Sequence, residues 1–263
     1  LVKMRFEGLK KIQHYFKAEE IDFERCSGFE ILNDNNALQQ IDEVNEKLKT
    51  ITCLEKTFFL NQDQIAKFGL QKTEFLVENP CEGSLHSGKL LQKLLEKSQS
   101  LGVEFLFGTE VLKILEDENK VQIITQFFQI ITQKLVIATN AFANDLISEV
   151  DLIPVRGQIL LTEPLENLQL KGTFHYDEGY IYFRNLGNRI LLGGARNQDF
   201  ETEETTALET TEFLQNYLEN FLKEVILPNQ EFEISQRWSG IMAMGKEKSP
   251  IVKQISNRQI VAV

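Results

Sequence analysis

Between residues 180 and 196 the chain reads YIYFRNLGNRILLGGAR. Side chains alternate along a strand, so YIYFR as a strand places Tyr180, Tyr182 and Arg184 on one face and Ile181 and Phe183 on the other. The aliphatic and phenyl face suits a core. The opposite face has two readings. It can be an aromatic wall with a carboxylate-binding end, because a guanidinium meets a carboxylate through two parallel hydrogen bonds. It can equally be a half-solvated sheet surface carrying an ordinary arginine. NLGN is a turn signal in which Gly187 can take positive φ, and RILLGG is the returning strand. Gly193 and Gly194 then fall at a strand end, where a missing side chain permits close approach by another group. They do not form a phosphate loop.

A second glycine signal, GSLHSGKL at residues 83–90, nearly matches the G-x-x-x-x-G-K-[ST] phosphate cradle. Leu90 stands where the magnesium-binding hydroxyl belongs, and VENPCE precedes the motif in place of an apolar strand. An ordinary loop entering a helix, with Ser87 as its N-cap, accounts for the same residues. No G-x-G-x-x-G and no G-x-S-x-G occurs in the chain. His14, His86 and His175 are scattered, with no metal-ligand spacing. Cys26, Cys53 and Cys81 are odd in number, far apart and without C-x-x-C spacing, which fits a reducing compartment.

The elements that must carry these residues follow from periodicity. Met4, Leu9, Ile12 and Phe16 recur at helical spacing over residues 3–17, and IDFERCSGFEIL reads as a turn and a strand. Residues 37–56 form an amphipathic helix, and FFLNQDQIAKFG a strand end running into a short helix closed by Gly69. LLQKLLEKSQSLG is a helix with Gly102 at its C-cap. Residues 103–140 supply several short strands, ending in the buried-looking KLVIATN, and imply an α/β unit. From Ile153 onward β runs dominate, interrupted by a helix predicted over about 203–224. That helix has Glu203 and Glu204 in its first turn and Leu208, Phe213, Leu214, Tyr217, Leu218 and Phe221 on its apolar face. Pattern changes near residues 80, 150 and 236 mark candidate domain boundaries.

Composition narrows the classes. A chain of 263 residues with 42% hydrophobic and 25% charged residues is an ordinary globular protein of one or two domains. A net charge of -11 works against nucleic acid as a partner. No apolar run approaches the ~20 residues needed to span a bilayer, and LVKMRFEGLKK is not a signal peptide. A cytoplasmic location without a membrane partner is the expectation. The chain starts at Leu1 inside a helical pattern and stops at Val263 inside RQIVAV, which is the expectation for a fragment.

Several segments together resemble the flavin-dependent amine and amino-acid oxidoreductases of the D-amino acid oxidase and glycine oxidase superfamily. They are CEGSLHSGKLLQKLLEKSQSLGVEFLFGTEVLKI, KLVIATNAFANDL, IPVRGQILLTEPL, the YIYFR hairpin and RWSGIMAMGKEKSPIV, spread over residues 80–263. The resemblance implies an FAD/NAD(P)-binding Rossmann-like domain, incomplete in this chain, interleaved with a substrate domain on a mixed, mostly antiparallel sheet. The implied division gives residues 1–80 and 151–236 to the substrate domain and residues 81–150 and 237–263 to the FAD-binding domain.

Carried over by position, Val111 lies near the adenosine end of FAD. Ala138, Thr139 and Asn140 sit at a strand end facing the cofactor, and Gly240 and Ile241 pass the flavin ring. Asn140 replaces the usual glycine, and asparagine is a residue that tolerates left-handed geometry. Met242 stands in the region where such enzymes often carry an arginine for the substrate carboxylate, so either the substrate is not a simple amino acid or Arg184 takes that role. The implied chemistry is hydride transfer from an amine-bearing carbon to flavin, with a small amine or amino-acid-like substrate. Tyr180 and Tyr182 are the wall and Arg184 the orienting group. Two alternatives are a binding module that has lost its cofactor site and a nucleotide-triphosphate enzyme using residues 83–90.

Overall fold

The computed structural model describes residues 2–246 and 249–263, so Leu1, Glu247 and Lys248 of the segments above lie outside the described residues. In chain order the first hundred residues form α1 (Val2–Tyr15), α2 (Ala18–Ile21), β1 (Gly28–Leu32), α3 (Asn35–Gln39), α4 (Ile41–Thr52), β2 (Phe59–Leu60), α5 (Asp63–Phe68), β3 (Phe75–Asn79) and α6 (Ser87–Ser100). Four strands follow, β4 (Val111–Glu116), β5 (Val121–Thr125), β6 (Gln129–Thr132) and β7 (Leu135–Ile137). Then come β8 (Leu152–Thr162), β9 (Thr173–Tyr176), β10 (Ile181–Leu186) and β11 (Arg189–Gly194). The chain continues through α7 (Phe200–Glu203), α8 (Glu212–Phe221), β12 (Ile234–Gly245), β13 (Val252–Gln254) and β14 (Gln259–Ala262). The fold is mixed α/β. It divides into two compact units, residues 1–100, 158–199 and 209–239 in the first and residues 101–157, 200–208 and 240–263 in the second.

An eight-stranded sheet runs in the order β12-β8-β11-β10-β9-β1-β3-β2. Pairing is antiparallel from β8 through β11, β10 and β9 and from β1 through β3 to β2, while β1 and β9 are parallel. One face is the core of the first unit. Phe29, Phe174 and Phe183 stack across three adjacent strands at centroid separations of 4.9 and 4.7 Å, and the Phe68 ring meets Phe174 edge-on at 5.4 Å. Leu214, Leu218 and Phe221 of α8 join the same cluster. The start of α8 is tied down by Gln158, wholly buried, whose Oε1 accepts the Thr211 N–H at 2.9 Å while its Nε2 donates to Thr211 Oγ1 at 2.9 Å. This supplies one of the partners that a helix N-terminus otherwise lacks.

In the second unit β4, β5 and β6 form an antiparallel meander. A separate sheet has the order β13-β14-β7, with β14 and β7 parallel. Ile137 and Val261, facing partners in that parallel pair, sit in a small core with Ala143, Val150 and Leu152.

Three sequence expectations are corrected. The helix predicted over 203–224 is two: α7 ends at Glu203, and α8 begins at Glu212 and continues as one wider turn over Leu222–Ile226. Glu203 is not a solvated first-turn acid. It is buried and receives Arg156 Nε at 3.0 Å and Nη2 at 2.6 Å, a two-point ion pair that a helical wheel cannot reveal. The run VEFLF at 103–107 carries no assigned strand among the described residues, the first strand after α6 being β4 at Val111. Its β composition is a preference for a pleated, half-buried surface, and ladder formation needs a neighbour as well.

Candidate active site

The hairpin forms as its sequence dictates. β10 and β11 pair from Ile181 with Gly194 to Leu186 with Arg189, and Gly187 takes φ 59 in the two-residue connection. Ile181 and Phe183 are buried in the aromatic core, so Tyr182 and Arg184 lie on the sheet's other face. Tyr180 precedes the strand, is half-buried, and carries the Arg196 guanidinium 5.4 Å over its ring centroid. Burial pushes the Tyr182 phenol above its ordinary pKa, so it stays neutral and is a poor nucleophile at physiological pH. Arg184 donates from Nη1 to the Leu85 carbonyl at 3.1 Å, and no carboxylate among the described residues forms an ion pair with it.

The two glycines have separate reasons. A Cβ on Gly193 would run into the Ile159 side chain and come within 2.9 Å of the Tyr182 ring and the Gln158 carbonyl. Gly194 has φ 107, and a Cβ there would fall on the Tyr180 carbonyl, which accepts the Ala195 N–H at 2.6 Å. The close approach is by the chain's own backbone, and it fixes where Tyr180 leaves the sheet.

The register shows residues that the hairpin sequence alone could not bring in. Tyr182 pairs with His175 of β9, and His175 pairs with Glu30 of β1, so the three form one transverse row on the face bearing Arg184. His175 Nδ1 lies 2.9 Å from Glu30 Oε1. The Glu82 carboxylate lies over Gly28, where any Cβ would collide with it, and accepts Asn79 Nδ2 at 2.8 Å. A cleft of about 890 Å³ opens over Glu30, His175 and Glu82, bordered by α1 and α4. Hydrogen bonding to Glu30 raises the His175 pKa, and burial raises that of Glu82. The signal for this row was absent from local sequence because Glu30 and His175 are 145 residues apart.

GSLHSGKL is a loop into α6. Lys89 pairs with Asp22 at 2.7 Å. Ser87 is the first helical residue and not the N-cap; the His86 ring nitrogen accepts the Lys89 N–H at 3.3 Å instead. The lysine that a triphosphate would need is therefore engaged with a carboxylate.

The expected cofactor residues all fall in the second unit. Val111 opens β4, beside a register shift between Val111 and Lys113. Ala138, Thr139 and Asn140 are exposed just beyond β7, and Asn140 has φ 52, the left-handed geometry that the usual glycine of this position would adopt. Gly240 is exposed on β12 and a Cβ on it would meet nothing within 4 Å, while Ile241 beside it is half-buried. An exposed strand end with a left-handed turn, and bare backbone on β12, fit a planar cofactor held largely through main-chain groups. Met242 is partly exposed on the same strand. Among the described residues no cluster of His, Cys, Asp and Glu could hold a metal ion, and no helix is long and apolar enough to cross a membrane.

Comparison with known proteins places these features in context. A D-amino acid dehydrogenase from Vibrio atlanticus (strain LGP32) is 26% identical over 168 residues, which are 60% of this chain and 38% of that protein. The chain thus spans about two fifths of the length of this relative. Among solved structures, L-proline dehydrogenase from P. horikoshii superposes with a TM-score of 0.82 at 21% identity, over 99% of this chain and 72% of that one. Glycine oxidase from Geobacillus kaustophilus gives 0.79 at 18% identity, over 98% and 71%. These likenesses show a shared fold. The model of the FAD dependent oxidoreductase family matches residues 1–263, and the chain belongs to that family.

Proposed function

We propose that the protein oxidises the C–N bond of an amine or amino acid, with the open face of the eight-stranded sheet as the substrate wall. Bound FAD supplies the hydride acceptor. The observation that carries the substrate assignment is Arg184: a half-buried guanidinium beside a neutral tyrosine, anchored to one backbone carbonyl and with donors left for an anion. Tyr180 and Tyr182 confine the reacting carbon and exclude water without offering a competing nucleophile, and Arg184 fixes the ligand by its carboxylate. In the second unit Val111, the turn at Ala138, Thr139 and Asn140, and the β12 backbone at Gly240 and Ile241 would hold the cofactor. The division into substrate segments 1–80 and 151–236 and FAD-binding segments 81–150 and 237–263 belongs to the same reading. The D-amino acid dehydrogenase and glycine oxidase named above favour an amino acid over a simple amine.

The test is Arg184→Ala in the protein at its natural length. For amino acids, kcat/KM should fall by about 10²-fold, the size expected when a charge-assisted pair is lost. For the corresponding amines without a carboxylate it should stay within twofold. Equal losses on both series, or no loss on either, would remove Arg184 from the substrate site.

A further inference from the structure

The row Glu30–His175–Tyr182 has the parts of an oriented base. His175 is held through Nδ1 by the Glu30 carboxylate at 2.9 Å, which sets Nδ1 as the donor and leaves Nε2 with the lone pair. No described residue hydrogen-bonds Nε2, and the imidazole lines the cleft together with Glu30 and Glu82. The cleft adds apolar surface from Phe6, Val44 and Phe58. We propose that Glu30 and His175 form a dyad that binds the amino group of the substrate and takes its proton. This rests on the amine-oxidation reading above.

The substrate ammonium donates an N–H to Nε2; the N–H bond breaks, its electron pair stays on the substrate nitrogen, and a new N–H forms on the ring. The imidazolium is stabilised by Glu30, and the substrate nitrogen is left with the lone pair that loss of hydride from its carbon would require. The charged and titratable groups around His175 and its cleft are Glu30 on β1, Cys81 and Glu82 after β3, Tyr182 on β10, Arg5 on α1 and Glu178 in the turn after β9. The hydrogen bond to Glu30 and the charges of Glu30 and Glu82 favour the imidazolium, burial and Arg5 oppose it, and the balance is upward from the ordinary value.

The experiment uses 2-aminoisobutyrate, which has no hydrogen on the carbon bearing its amine and so cannot be oxidised. Its affinity is measured by calorimetry from pH 6 to pH 9. In the unsubstituted protein, affinity should fall tenfold for each pH unit below the His175 break and be flat above it. Glu30→Gln should move the break to lower pH and keep the plateau. His175→Phe should abolish the break and lower the plateau about tenfold or more, as for a lost hydrogen bond to a charged group.

Absence of a break, a break unmoved by Glu30→Gln, or a His175→Phe affinity that simply rises to the old plateau would overturn the proposal, as would failure to bind 2-aminoisobutyrate at all. The rise to the old plateau would mean that the imidazole only repels a cation. Flavin that is reduced by amines in a protein lacking the pH break sinks the dyad and leaves the oxidase reading standing. The break without flavin does the reverse.

Discussion

At the scale of single residues, alternation in YIYFR was enough to separate Tyr182 and Arg184 from Ile181 and Phe183, because one face of the strand is fully buried and a one-residue slip would expose a phenylalanine. The glycine pair was legible as a site of close approach, but not the identity of the approaching group, which is the chain's own Tyr180 carbonyl. Gly194→Ala should therefore be more damaging than an ordinary glycine replacement, since it meets both a φ of 107 and a backbone oxygen. We expect a loss of about 3 kcal/mol or more by urea unfolding, against roughly 1–3 kcal/mol for Gly193→Ala, whose nearest obstacle is a side chain. A Gly194→Ala protein as stable as the parent would contradict this account of the turn. His175 and Glu30 could not be paired from sequence, because nothing local signals that β1 adds in parallel beside β9.

At the scale of elements, helices with a strong apolar stripe were readable, and so was the left-handed stop at Gly69. The helix at 203–224 was not, since the apolar pattern from Phe213 to Phe221 was extended back over Leu208 and Glu203, across a segment that the fold opens: Leu208 is exposed and Glu203 is drawn to Arg156. A buried ion pair with partners 47 residues apart overrides local propensity there. The aromatic core explains why the sheet holds its register across the parallel junction. Phe174 on β9 stacks on Phe29 of β1 and on Phe183 of β10, joining the two antiparallel halves. Phe174→Ala should cost about 3–5 kcal/mol. Because it sits on the face opposite Arg184, far-ultraviolet circular dichroism at low temperature should be retained while the unfolding midpoint falls. A loss below about 1 kcal/mol would mean that the stack does not hold the junction.

At the scale of the molecule, length, composition and the succession of short strands were sufficient for a mixed α/β reading, and the joint pattern of segments such as KLVIATN and IPVRGQILLTE pointed to the family to which the chain belongs. Net charge and cysteine count identify no substrate, since neither reports the local arrangement of Arg184, His175 and Glu30. The central claim is that a flavin and an amine meet in this protein. The protein at its natural length, purified without added cofactor, should show the visible bands of oxidised flavin. Anaerobic addition of D-alanine, L-proline or glycine should bleach them, for at least one of the three. A colourless protein that takes up no FAD, or a bound flavin that none of these amino acids bleaches, would contradict the account.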